Sequence, residues 1–239
     1  VRVLVGTSGY SYKPWKGRFY PEKIKDADML AFYATRFPTV EINNTFYRMP
    51  APALLAKWAQ ETATGFTFAL KAPQRITHQK RLGDVADDLA YFLETAAALG
   101  DKLGPVLYQL PPYMKKDLER LRAFLGRLPP RPPAAFEFRH DSWFDEDVRA
   151  ALREHGRALC VADTGEEGPA GRLVSTAPWG YLRLRRAEYG DADLDRWAEE
   201  IRAQGWERAF VFFKHEDEAR GPELATRLTA RFPAARAPG

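Results

Sequence analysis

Eight short runs rich in β-branched and aromatic residues recur along the chain, and a helical period fills nearly every gap between them. The runs are VRVLV (1–5), TVEIN (39–43), FTFALK (66–71), PVLYQL (105–110), AAFEFR (134–139), ALCVAD (158–163), YLRLR (181–185) and AFVFFK (209–214). Helical spacing of apolar residues covers 26–37, 50–62, 84–100, 117–128, 145–156, 191–205 and 222–232. Within 84–100, Val85, Leu89, Phe92, Leu93, Ala96 and Leu99 share one face, and Gly100 ends the pattern. Strand and helix alternating along the chain argue for a parallel sheet with helices packed outside it. Eight strands fit a closed TIM-type (β/α)8 barrel better than an open doubly wound sheet. One gap breaks the repeat. Residues 163–179, DTGEEGPAGRLVSTAPW, carry no helical period, so the sixth helix is expected to be short or missing. The proline cluster LPPRPP (128–133) reads as a stiff connection, because the alternation resumes in phase after it. The expectation is a single barrel domain over 1–239, with 233–239 a frayed tail.

Composition bounds the rest. Hydrophobic residues make up 45%, ample material for a core of this size. The formal net charge of +4 is compatible with an anionic ligand. The lone cysteine, Cys160, excludes an internal disulfide framework and fits a reducing compartment, where it would act as a small buried hydrophobe. No apolar run reaches membrane-spanning length, and the N-terminus starts directly in a strand pattern, so a cytoplasmic protein with no membrane partner is expected.

Barrel sites lie at the C-terminal ends of the strands, where alternate side chains point inward. With Val40 and Ile42 facing the helices, Glu41 and Asn43 face in; the same parity turns Lys71 inward from FTFALK. Gln109 shares a face with Leu107. Glu137 and Arg139 oppose the outward Phe136 and Phe138, and Arg183 and Arg185 oppose Leu182 and Leu184. Lys214 falls with Phe210 and Phe212, and Asp163 falls with Leu159 and Val161. Lys71, Arg139, Arg183, Arg185 and Lys214 therefore meet Glu41, Glu137 and Asp163 at one mouth. The cations outnumber the acids, so an anionic ligand follows more naturally than a neutral one. Ion pairing alone would still leave a cationic surplus.

The first loop, GTSGYSYKPWKGRFYP (6–21), interleaves Tyr10, Tyr12, Trp15, Phe19 and Tyr20 with Lys13, Lys16 and Arg18. It follows the first strand and should lie over the mouth. Rings among cations suit single-stranded nucleic acid, which stacks its bases and pairs its phosphates. The same rings would equally form a satellite core beneath the loop. Thr7 and Ser8 open a small-residue turn able to offer backbone N–H groups to an anion. Further aromatics in TFYR (45–48) and DSWF (141–144), with His140 beside them, sit at neighbouring strand ends.

Several of these segments together resemble the YecE-like family, domain of unknown function 72: GTSGYSYKPWKGRFYP, TVEINNTFYRMP (39–50), FALKAPQRITH (68–78), VLYQLPP (106–112) and FEFRHDSWF (136–144). The resemblance covers nearly the whole chain and implies a TIM-type barrel, but no activity. Two places depart from the family pattern. The seventh strand often continues as Arg-x-His-Gly, where this chain reads YLRLRRAEYG; the eighth often ends in Asn-Asn, where it reads VFFKHEDE.

The chemistry stays open at this stage. The chain has four histidines and no close-spaced ligand pair, so a divalent metal on carboxylates is possible but not favoured. Glu41 and Glu137 could act as paired carboxylates on a sugar, in a hydrolase or isomerase. Lys71 or Lys214 could form a Schiff base. No G-x-S-x-G elbow or P-loop occurs. The leading expectation is a barrel that binds an anionic, phosphate-containing small molecule or single-stranded nucleic acid at its mouth, either as a binding protein or as a phosphoester hydrolase. A sugar-directed enzyme and a non-catalytic regulatory barrel are the alternatives. Glu41, Glu137, Asp163 and Lys71 are the candidate catalytic residues. Thr7, Ser8, Tyr10, Trp15, Asn43, Gln109, Arg139, His140, Arg183, Arg185 and Lys214 are the candidate ligand-binding residues.

Overall fold

In a computed structural model, which describes residues 1–166 and 168–232, the eight apolar runs are eight strands. They are β1 (Arg2–Thr7), β2 (Thr39–Ile42), β3 (Thr67–Lys71), β4 (Leu103–Gln109), β5 (Ala134–Glu137), β6 (Ala158–Asp163), β7 (Trp179–Leu184) and β8 (Arg208–Phe213). All ladders are parallel, in the order β1-β8-β7-β6-β5-β4-β3-β2. The helices are α1 (Met29–Ala34), α2 (Pro52–Glu61), α3 (Ala86–Ala96), α4 (Leu118–Leu125), α5 (Glu146–Glu154), α6 (Asp191–Ala203) and α7 (Arg220–Thr229). Between β6 and β7 the described residues hold only one 3-10 turn, Pro169–Gly171, so the sixth barrel helix is missing. The expected frayed tail, 233–239, lies outside the described residues.

The period of two along the strands builds two cores. Outward residues such as Val40, Leu70, Val106, Phe136, Leu182 and Val211 pack under the helices in the larger one. Inward residues form a separate cluster of Leu4, Ala69, Leu107, Ala135, Ala158, Cys160, Tyr181, Phe210 and Phe212. Small residues on β3, β5 and β6 face large rings on β7 and β8, so the rings fill the barrel floor. Glu41, Gln109, Glu137 and Arg183 lie above that floor, toward the C-terminal ends of their strands.

The barrel closes between β1 and β2 by an unusual joint. Only one parallel bridge, Ser8 to Glu41, links the two strands, with Gly9 N–H donating to Glu41 O at 2.7 Å. Below it, the hydroxyl of Tyr33 on α1 accepts from Thr7 N–H at 2.8 Å and donates to Thr39 O at 3.1 Å. A side chain thus takes the place of a ladder bond and satisfies both backbone groups. Gly6 makes the close approach possible, since a Cβ there would stand 2.1 Å from Thr39 O.

Most rings of the first loop pack inward. Trp15 is fully buried, stacks on Tyr20 at 6.1 Å and donates its indole N–H to Glu216 O at 2.8 Å. Phe19 stacks on Phe37 at 5.7 Å, and Tyr20 donates its hydroxyl to Tyr10 O at 2.6 Å. The long loop is therefore held against α1 and the β8–α7 connection as an extension of the larger core, not as a separate satellite.

Candidate functional site

Strand parity delivers Glu41, Gln109, Glu137 and Arg183 to one layer immediately above the apolar floor, and all four are buried. Arg183 lies between two carboxylates. Its Nη2 and Nε donate to Glu41 Oε1 at 3.0 and 3.2 Å, and its Nη1 donates to Glu137 Oε2 at 2.6 Å. Glu41 also accepts from Ser8 Oγ at 2.6 Å, Asn43 Nδ2 at 3.1 Å and the Tyr181 hydroxyl at 2.7 Å. Glu137 also accepts from Gln109 Nε2 at 2.8 Å and Arg139 Nε at 3.1 Å, with Arg185 Nη1 at 3.7 Å.

Burial alone would raise both carboxyl pKa values. The Arg183 charge and the ring of donors overcome it, lowering Glu41 and holding Glu137 at about 2. Both are ionised acceptors at neutral pH, enclosed by their donors. A general acid needs a carboxyl that is protonated and exposed to a leaving group, so neither has the environment for the paired-carboxylate reaction on a sugar.

The next layer up is cationic. A cavity of about 310 Å³ opens onto Lys71, Gln109, Arg139, Arg183, Arg185 and Lys214. Of the five cations there, Glu41 and Glu137 balance two, and Glu216 on the rim offsets a third. Lys71 Nζ donates to Gln109 Oε1 at 2.9 Å and sits 3.9 Å from the Phe46 ring centroid. Burial, reinforced by the Arg183 charge, lowers the Lys71 pKa to about 8. Burial and the neighbouring Arg185 and Arg183 likewise lower that of Lys214. His78, edge-on to Phe46 at 4.8 Å, is pushed down to about 4 by burial and the nearby Lys71, so its imidazole is neutral. Like charges crowded without matching anions are costly, and an incoming anion relieves them.

Four expected site residues lie elsewhere. Asp163 points away from the mouth, where its carboxylate accepts from the Tyr189 hydroxyl at 3.0 Å and Gly165 N–H at 3.1 Å. The inward residues of β6 are Ala158 and Cys160, so Asp163 follows Leu159 and Val161 to the outer face. Trp15 belongs to the larger core and has no surface for a base. Thr7 bonds Gly9 O and the Tyr33 hydroxyl on the outer side of β1. His140 accepts from Ser142 N–H at 3.2 Å, capping a 3-10 turn. The turn after β1 offers no anion nest either, because Ser8 N–H donates to Phe213 O and Gly9 N–H to Glu41 O. Ser8 itself serves the network through Glu41.

The mouth also uses Tyr12, Asn44, Tyr47 and Glu216, which come from loops that carry no strand period. Tyr47 is 74% exposed on the rim and meets Phe46 edge-on at 5.0 Å. The two departures noted in the sequence touch one another: a His215 ring nitrogen, Nε2, donates to Arg186 O at 2.5 Å, tying the end of β8 to the end of β7. Among the described residues, no three His, Cys, Asp or Glu side chains converge as metal ligands. Among the same residues, no helix is long and apolar enough to cross a membrane.

A sequence profile for the family described as "Protein of unknown function DUF72" matches residues 4–238. The chain belongs to the DUF72 family. It is 34% identical over 138 residues to the UPF0759 protein YecE of Escherichia coli (strain K12), covering 55% of this chain and 51% of YecE. It is 32% identical over 180 residues to the UPF0759 protein YunF of Bacillus subtilis, covering 70% of this chain and 62% of YunF. The aligned stretches thus span about half to three fifths of these relatives. The crystal structure of a DUF72 protein from Thermotoga maritima superimposes with a TM-score of 0.81 at 27% identity, covering 96% of this chain and 98% of that one. A DUF72 protein from Enterococcus faecalis matches the fold with a TM-score of 0.84 at 18% identity, covering 98% and 97%. The family resemblance carried by the sequence motifs and the barrel they imply are both established. The family names state no activity.

Proposed function

We propose that the C-terminal mouth of this DUF72 barrel binds a phosphate-containing anion. The observation that carries the reading is the cationic surplus that remains after Glu41 and Glu137 have taken their partners. Lys71 and Lys214 form no salt bridge among the described residues, and Arg139 and Arg185 share a single carboxylate with Arg183. A regulatory barrel closed by internal ion pairs would leave no such excess. Guanidinium groups match phosphate geometry, and an adaptable Lys completes the contact. The same donors would stabilise charge developing on a phosphoryl oxygen, so phosphoester hydrolysis is the reaction class to assay. A cytoplasmic setting, where phosphorylated ligands abound and the buried thiol of Cys160 stays reduced, goes with this reading.

The test is calorimetric titration with inorganic phosphate at neutral pH. Binding should be measurable at low salt, weaken as salt rises, and be lost in Lys71→Gln and Arg185→Gln. No binding by the wild-type protein at low salt would overturn the proposal.

A further inference from the structure

A second cavity adjoins the cationic one. It measures about 230 Å³ and is lined by Gly9, Tyr10, Tyr12, Asn43, Asn44 and Trp58, among others. Tyr12, Asn43 and Asn44 line both cavities and form their common wall. The two halves differ in chemistry. One presents Lys and Arg; the other presents three aromatic side chains and two amides.

The aromatic half is a fixed structure. Tyr12 donates its hydroxyl to Ser8 O at 2.7 Å and packs its ring on Trp15 at 4.8 Å. Gly9, at φ +88°, leaves room for it, because a Cβ there would stand 2.4 Å from the Tyr12 hydroxyl. Trp58 stacks on Phe68 at 6.1 Å and meets Tyr10 edge-on at 6.4 Å. The amides divide their work. Asn43 is committed to the network, donating to Glu41 and accepting from Arg183 at 3.4 Å. Asn44 is exposed, and its side-chain amide has no partner among the described residues.

We propose that the mouth takes a nucleoside phosphate: its phosphate on the cationic wall, its base in the aromatic cavity, and Asn44 on the polar edge of the base. The proposal rests on the anion reading above and names the ligand class. A bare phosphate leaves the second cavity unused, and a sugar phosphate leaves its rings without a planar partner. A heterocycle uses both the π surface and the amide. The shared chemistry could be a free nucleotide or the phosphorylated end of a single strand.

The experiment compares inorganic phosphate, ribose 5-phosphate, the four common nucleoside 5′-monophosphates and a 5′-phosphorylated oligonucleotide in one calorimetric series. At least one nucleotide should bind about tenfold or more tightly than ribose 5-phosphate, as expected for one stacked base. Asn44→Ala and Trp58→Leu should each remove that advantage; Trp58 lines the aromatic cavity and not the cationic one, so Trp58→Leu should still bind inorganic phosphate, which also shows that the variant is folded. Tighter binding of the oligonucleotide than of every free nucleotide assigns the site to a strand end, and the reverse assigns it to the free nucleotide. Equal affinities for ribose 5-phosphate and all nucleotides, with phosphate still bound, would overturn this inference and spare the anion reading. No binding of any probe would overturn both.

Discussion

Replacing Arg183 by Met tests the buried network directly. Arg183, 2% exposed, is the shared counter-charge of Glu41 at 0% and Glu137 at 1%. Methionine keeps much of the side-chain length but leaves two buried carboxylates facing each other. Breaking a buried pair by removing one partner costs about 3–5 kcal/mol. At about 2–4 °C per kcal/mol for a chain of this size, the thermal midpoint should fall by about 6–20 °C. The loss should depend on pH with a definite sign. In the wild type the folded pKa of Glu137 is depressed from 4.5 to about 2, and that of Glu41 is lowered too. Their contribution is complete above the unfolded value and fades as the pH falls toward the folded one. In the variant the opposing charge is gone and burial, which raises both pKa values, governs. The penalty is then largest at neutral pH and shrinks as acid neutralises the carboxylates. Urea unfolding followed by circular dichroism at pH 7.5 and pH 5 should show the gap between wild type and variant narrowing at the lower pH. Adding Glu41→Gln to the variant should restore part of the loss. A thermal midpoint within about 3 °C of wild type at pH 7.5, or a gap that widens in acid, would refute the reasoning.

Three other outcomes follow from the same geometry. Tyr33→Phe removes the hydroxyl that joins Thr7 N–H to Thr39 O; urea unfolding should show a loss of about 1–3 kcal/mol, the cost of leaving such groups unpaired. Lys71 should titrate near pH 8 by NMR after reductive methylation, and phosphate affinity should fall as the pH rises through that value, because the ammonium is lost above it; an affinity flat from pH 7 to 9 would exclude Lys71 from the contact. Trp15→Ala should cost about 3–5 kcal/mol in a thermal melt, as a buried Trp does; full stability with selective loss of ligand binding would place the ring in the site instead.

How much of this was legible in the sequence depends on what kind of signal each residue carried. The barrel was legible because alternation at two periods runs the length of the chain. Glu41, Gln109, Glu137 and Arg183 were legible for the same reason: strand parity is a geometric fact, and polar residues on an inward face above Ala69, Leu107, Ala135 and Tyr181 must meet. Asp163 shows the cost of setting parity aside for charge. Its register with Leu159 and Val161 already placed it outside, and the structure does so. Trp15 shows a different limit, since a ring buried under a loop and a ring offered to a ligand have the same local sequence. Tyr12, Asn44 and Tyr47 come from connections where no period fixes direction, and Trp58, inside the helical pattern of 50–62, reads there as an ordinary core ring. The contact of Phe46 with Lys71 depends on a 3-10 turn, Asn44–Phe46, that follows β2. The Tyr33 joint was equally hidden, because only the closed barrel brings α1 to the β1–β2 gap.

The most direct measurement is a crystal structure grown at low salt with tungstate, a phosphate-like anion located by its anomalous signal. The expected result is a tungstate peak among Lys71, Arg139, Arg185 and Lys214, above the buried Arg183. A mouth without the anion, with tungstate bound only elsewhere on the surface, would contradict it.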